Sequence, residues 1–321
     1  MEFKSTNIRT LSMLGSCGAF GMAALELPAI CDKSVIVTSD LCFYSGLERF
    51  KERYPDRLYN VGIAEQNMIG VAAGFAKEGF VPFATTYATF ASMRCADQVR
   101  VNMGYMQQNI KLVGLTSGMS VGILGATHMS IEDLAVMRAI PNITILSPAD
   151  CTASVKAVLA AAEHNGPVYL RLSGTMNNPI VYRTDFDYEI GKANIVAEGD
   201  DIAIIATGTM VYESLQAAKL LLQDGISARV IDMHTIKPID AQAIKSACNS
   251  ELIVTVEEHN IFGGLGSAVA EVLAPLEKKP RQIIIGIEDK YENAGQYPEL
   301  IERCGLSAQH IYEKIIKNVR R

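Results

Sequence analysis

Tyr59-Asn60-Val61-Gly62-Ile63-Ala64-Glu65-Gln66-Asn67-Met68 is the stretch on which the fold turns. Residues 58–61 read as a short strand, Gly62 permits a tight turn, and residues 64–78 have the composition of a helix. A strand that passes through a glycine turn straight into a helix is half of a crossover unit, from which parallel sheets are built. Glu65 falls in the first turn of that helix. A carboxylate there stabilises the helix by facing the positive end of its dipole. The same position follows the carboxyl end of a strand, where open α/β sheets bind ligands. Spacing alone does not choose between the two roles.

The alternation continues in both directions. Strands are expected at 34–38, 81–85, 110–116, 143–146 and 167–172, and helices at 18–27, 90–107, 131–139 and 149–164. A polar stretch, 173–191, reads as a linker. Beyond it, strands at 202–206, 227–232, 252–257 and 282–287 alternate with helices at 212–224, 241–248 and 266–274. The fold class is therefore α/β with two doubly wound domains: a larger parallel-sheet domain over 1–180 and a smaller one over 190–321.

Composition sets the outer limits. With 321 residues, 49 % apolar and 20 % charged, the chain can bury two cores and is not disordered. A net charge of −6 argues against a nucleic-acid or anionic-membrane partner. No apolar run is expected to reach the length of a membrane span, and the first residues lack the pattern of a leader. Seven cysteines without a C-x-x-C suit reduced thiols and a cytoplasmic setting.

Several ordered segments carry a resemblance that covers nearly the whole chain. Residues 59–68 resemble the glutamate motif of the thiamine-diphosphate enzymes of the transketolase group. Val37-Thr38-Ser39-Asp40-Leu41, the aromatic segment Pro82-Phe83-Ala84-Thr85-Thr86-Tyr87-Ala88-Thr89-Phe90, Gly125-Ala126-Thr127-His128, Met137-Arg138-Ala139-Ile140-Pro141-Asn142 and Ser147-Pro148-Ala149-Asp150 follow in the family's order. Ala206-Thr207-Gly208 and Glu257-Glu258-His259-Asn260 through Gly266 resemble its carboxy-terminal domain.

The resemblance implies a pyrimidine-binding domain followed by a C-terminal domain. It implies that Glu65 hydrogen-bonds a ring nitrogen of the thiamine diphosphate aminopyrimidine, as the catalytic carboxyl group. Tyr87 and Phe90, three residues apart, would share a face and stack on that ring. Asp40 matches an acid near the thiazolium or the partner chain, with a strand-end turn as its other role. His128 matches a histidine that contacts substrate hydroxyls. Past Phe90 the register is lost, and Met93, Arg94 and Asp97 receive no role.

Other positions depart from the family. Thr116 stands where a second substrate histidine is expected, Leu124 where an acid is expected, and Gly174 where a phosphate-binding arginine is expected. Arg171 falls where the related deoxyxylulose phosphate synthases carry an arginine, so either Arg171, Arg9 or a partner chain would hold a substrate anion, or the donor or acceptor lacks that phosphate. Gly15, Gly18 and Gly21, and Gly263, Gly264 and Gly266, lack the spacing of a dinucleotide fingerprint and read as packing or turn glycines, which leaves a nicotinamide enzyme little support. Glu257, Glu258 and His259 are adjacent on a strand, so their side chains alternate between faces and cannot converge on a metal.

The family's Gly-Asp-Gly motif, which serves the diphosphate and magnesium, is absent from the sequence. The chain thus resembles the carboxy-terminal subunit of a split transketolase. A separate N-terminal subunit would hold Mg2+ and the diphosphate in an α2β2 assembly, and the pair would move a two-carbon ketol unit from a ketose to an aldehyde. A deoxyxylulose-phosphate-synthase-like or 2-oxoacid dehydrogenase β-type subunit, and a non-catalytic stabilising subunit, are the alternatives.

Overall fold

The computed structural model describes residues 3–319. The reading of Met1 and Glu2 as free of a leader, and the last two residues of the second domain, lie outside it. Six strands precede the linker: β1 (Ser34–Thr38), β2 (Leu58–Asn60), β3 (Val81–Tyr87), β4 (Lys111–Ser117), β5 (Thr144–Leu146) and β6 (Val168–Ser173). Six follow it: β7 (Asn194–Ala197), β8 (Ile202–Ala206), β9 (Ala228–Asp232), β10 (Thr235–Lys237), β11 (Leu252–Asn260) and β12 (Arg281–Ile287). They form a seven-stranded sheet, β10-β5-β6-β4-β3-β1-β2, and a five-stranded sheet, β12-β11-β8-β9-β7.

The pairings among β1–β6 are parallel, as are those joining β8, β9, β11 and β12. β1 and β8 are buried along their whole length, which suits uninterrupted runs such as Val35-Ile36-Val37 and Ile202-Ala203-Ile204-Ile205. The two expected α/β units are present, and most expected strands start or stop within two residues of those observed.

Two strands were not foreseen. β7 adds an antiparallel edge to the second sheet. β10, from the stretch assigned to the second domain, pairs antiparallel with β5 of the first sheet through Thr235–Leu146 and Lys237–Ile145. Sheet membership therefore does not follow chain order. The linker has no regular element from 174 to 193, yet it is docked. Asp150 caps the helix Cys151–Glu163 through Ala153 N at 2.8 Å, and its other oxygen accepts from Val181 N and Tyr182 N at 2.8 and 2.9 Å.

One apolar cluster runs from Met68, Ile69 and Leu134 under the first sheet to Ile205, Ile231 and Leu265 of the second, so the two units share a core. A further correction concerns the first helix. Residues 5–30 do reach the length and apolar character of a membrane span. Here the helix Ser5–Ala24, kinked at Gly15, buries Leu11, Ala19, Phe20 and Ala23 against the first domain. All seven cysteines are unpaired.

Candidate active site

The sheet order places β1 between β2 and β3, so the chain reverses its winding direction between β1 and β3. A crevice opens at the carboxyl ends of strands on either side of such a switch point. A cleft of about 370 Å³ lies there, lined by Ser39, Asp40 and Leu41 after β1, Ile63 and Glu65 after β2, Thr86, Tyr87 and Phe90 at the end of β3, and by Arg94 and His128. Five of the seven side chains named from the sequence meet in this cleft: Asp40, Glu65, Tyr87, Phe90 and His128.

Glu65 opens the helix Glu65–Lys77 and is only 4 % exposed. Its Oε1 accepts from Arg94 Nη1 at 2.6 Å. The Arg94 guanidinium lies over the Phe90 ring, 4.0 Å from its centroid. This ion pair stands between the cleft and an adjoining hollow lined by Ala64, Gln66 and Asn67. Sequence reading missed Arg94, and the reason is geometric. The helix that follows Phe90 is π-wound over Phe90–Arg94 and again over Arg100–Tyr105. A π turn takes up an extra residue, so spacing counted on an α-helix does not place Arg94 beside Glu65.

The aromatic wall is built from three rings. Phe90 meets His128 edge-on at 5.2 Å, and Tyr87 lies 6.0 Å from both. Burial raises the Tyr87 phenol above its ordinary pKa, keeping it a neutral donor. His128 is half-buried, with Nδ1 3.0 Å from Thr127 Oγ1. Asp40 lines the cleft and also shapes the turn after β1. It has a φ of 58°, its N–H donates to Asn60 Oδ1 at 3.0 Å, and its Oδ1 accepts from Asn60 Nδ2 at 2.9 Å.

Arg171 requires correction. It is 1 % exposed, on β6, outside the cleft. Its Nε donates to both Asp133 oxygens at 3.2 and 2.9 Å, and Nη2 to the Glu258 carbonyl at 2.9 Å. Burial opposes its charge, but the Asp133 carboxylate holds the guanidinium protonated. A side chain so enclosed joins the domains instead of meeting a solute. Arg9 is on the exposed side of the first helix and does not line the cleft. At Gly174 the backbone accounts for the missing arginine: φ is 97°, and a Cβ would stand 2.3 Å from Asn178 Oδ1.

Glu257 and Glu258 point to opposite sides of β11, as alternation requires. Glu257 accepts from Leu265 N and Gly266 N at 2.6 and 2.8 Å, capping the helix Leu265–Leu273, and burial pushes its carboxyl up to about 7. His259 is buried beside it, with Nδ1 2.7 Å from the Asn260 carbonyl and burial pulling its pKa down to about 4.

Residues 16–178 match the family model of the transketolase pyrimidine-binding domain, and residues 191–311 that of the transketolase C-terminal domain. A 6-deoxy-6-sulfo-D-fructose transketolase subunit of Clostridium sp. is 40 % identical, over 87 % of this chain and 87 % of that one. An apulose-4-phosphate transketolase subunit of Phocaeicola vulgatus is 38 % identical over 97 % of this chain and 99 % of its own length. Among solved structures, a split-gene transketolase in an inactive β4 tetramer superposes with a TM-score of 0.84 at 38 % identity, covering 93 % of this chain and 96 % of that one. With both family domains in order and relatives of matching extent, the chain that builds this cleft belongs to the transketolase family.

Proposed function

We propose that this chain is one half of a two-chain, thiamine-diphosphate-dependent transketolase that moves a two-carbon ketol unit from a ketose to an aldehyde. The observation that carries this reading is the meeting of Glu65 with Tyr87 and Phe90 at the carboxyl ends of neighbouring strands. A nearly buried carboxyl group beside aromatic rings suits a flat nitrogen heterocycle. Glu65 would hold its ring nitrogen, and Phe90 and Tyr87 would stack on its faces. Thiamine diphosphate, when bound, supplies the carbanion-stabilising chemistry. His128, on the same wall, is within reach of a sugar hydroxyl entering the cleft.

The diphosphate and magnesium are assigned to a second chain carrying the Gly-Asp-Gly motif that this sequence lacks. The surface supports such a partner: Ile63 at the cleft is 79 % exposed, and exposed too are Met93, next in sequence to the cleft residue Arg94, and Ile123 and Leu124, on the loop that carries His128. Two chains of each kind would make an α2β2 assembly. Thr116, Leu124 and Gly174 depart from the family's substrate positions, and two relatives are named for a sulfonated fructose and for apulose-4-phosphate. We read the donor as a ketose outside the housekeeping set.

The test is a calorimetric titration of thiamine diphosphate with magnesium into this chain alone and into its complex with a Gly-Asp-Gly chain. Binding confined to the complex is expected. Tight binding to the single chain, or none to either, overturns the reading.

A further inference from the structure

The loop 118–130 carries His128 into the cleft; Ser120 Oγ accepts from Gly174 N at 2.9 Å and Arg171 Nη2 reaches the Ser130 carbonyl at 3.4 Å, but most of its anchoring points belong to the second domain. Its two feet pair with each other: Gly118 N donates to the Ser130 carbonyl at 2.9 Å, and Ser130 N to the Gly118 carbonyl at 2.8 Å. Beside the first foot, Met119 N donates to Glu258 Oε1 at 2.5 Å. Beside the second, Asn260 N donates to the Ile131 carbonyl at 2.8 Å. One strand, β11, therefore grips both ends of the loop. Midway, Gly295 N donates to the Gly122 carbonyl at 3.1 Å, and Leu300 fills the space where a side chain on residue 122 would stand.

The grip is specific to Glu258. Gly118 has a φ of 67°, and a Cβ there would come within 2.3 Å of Glu258 Oε1, so only glycine lets the carboxylate reach the Met119 amide. Glu258 is 1 % exposed, and its Oε2 accepts from Thr209 Oγ1 at 2.6 Å and Tyr297 OH at 2.8 Å. Three donors from three segments fix one carboxylate. The His128 ring, by contrast, leans on Phe90 and on Thr127 of its own loop, so its place follows from the loop backbone.

We infer that the second domain serves the active site by clamping this loop, with Glu258 as the positioning residue that sets where His128 stands in the cleft. The consequence for turnover rests on the proposed substrate role of His128; the clamp itself does not.

The test uses the full chain with Glu258→Leu, Glu258→Gln and Tyr297→Phe. Two readouts follow the loop: amide hydrogen exchange over 119–129, and the ring resonance of His128, displaced by Phe90 and Tyr87 and assignable among five histidines. Glu258→Leu is expected to speed exchange about tenfold, the cost of one buried hydrogen bond, and to move the His128 resonance toward that of an exposed ring. Glutamine keeps an acceptor for Met119 N and can donate to either hydroxyl, so Glu258→Gln should retain both wild-type signals. Tyr297→Phe removes one of the three donors, on the far side of the carboxylate, and should loosen the loop far less than Glu258→Leu. An unchanged loop in Glu258→Leu overturns the clamp, and so does equal loosening in Tyr297→Phe. If Glu258→Leu does not fold, Leu300→Ala decides: faster exchange centred on 121–125 is expected, and none overturns the inference. In the assembled enzyme Glu258→Leu should raise the KM for the ketose more than it lowers kcat. A loosened loop with unchanged KM would remove His128 from the substrate site and leave the clamp standing.

Discussion

Arg94 Nη1 donates to Glu65 Oε1 at 2.6 Å, so the acid at the head of the cleft is tied to a counter-charge from the neighbouring π turn. The same guanidinium covers the Phe90 face on which a cofactor ring would stack. In the proposed site, ring and guanidinium would compete for one carboxylate and one aromatic face. Arg94→Met is therefore expected to tighten thiamine diphosphate binding by the assembled enzyme roughly threefold to tenfold, the equivalent of a partly exposed cation–π contact. Calorimetry reads this directly, and weaker binding would make Arg94 part of the cradle.

Glu65→Gln keeps the shape of the side chain but replaces the carboxyl group with an amide, which cannot exchange a proton with a ring nitrogen. A loss of at least about 10²-fold in kcat is expected, as for other groups that move a proton in the rate-limiting step. Size-exclusion of the complex should be unchanged, because Glu65 faces the cleft and not the core. Unchanged turnover would favour a non-catalytic subunit.

Arg171→Met should act on stability. It leaves Asp133 buried with the Tyr169 hydroxyl but without its counter-charge, and removing one member of such an ion pair costs about 3–5 kcal/mol. Adding Asp133→Leu should recover much of the loss. Urea unfolding measures both. A near-wild-type midpoint with a raised substrate KM would restore Arg171 to the substrate site.

Asp232 gives a pH dependence. Burial pushes its carboxyl up to about 8, although Tyr182 OH donates to it at 2.7 Å, and its Oδ1 has no partner among the described residues. A carboxyl whose folded pKa lies above its unfolded value, about 4, favours folding while protonated. Its contribution is full below about pH 4 and is lost as pH rises through about 8. Asp232→Asn should therefore gain on the wild type at pH 8.5 compared with pH 5, by on the order of a few kcal/mol. Thermal unfolding at both pH values checks the sign. Glu257 titrates in the same direction, with a pKa of about 7 in the folded chain, and is present in both proteins, so the comparison isolates Asp232.

What the sequence disclosed was local in the chain. The turn after Asn60 and the continuous apolar strands each depend on a few consecutive residues, whereas the cluster of Asp40, Glu65, Tyr87, Phe90 and His128 follows from the family resemblance and is brought together by strand order. What stayed hidden was set by distant neighbours. Arg171 looks like a free cation until Asp133, 38 residues earlier, is packed against it. Arg94 needs the π winding to face Glu65, and no side-chain pattern announces a wider turn. β10 is three residues long, too short for an alternation to show, and becomes a strand because β5 offers it an edge.

That last strand limits how evolution or an engineer can divide the molecule. A cut in the linker near residue 190 looks harmless in the sequence, since it separates two complete-looking units. It would strip β10 from β5 and bare a row of unpaired amides and carbonyls on the larger unit, an open template for another chain. The halves are thus not interchangeable cassettes: a foreign second domain would have to bring its own counterpart of Thr235-Ile236-Lys237 to seal the first.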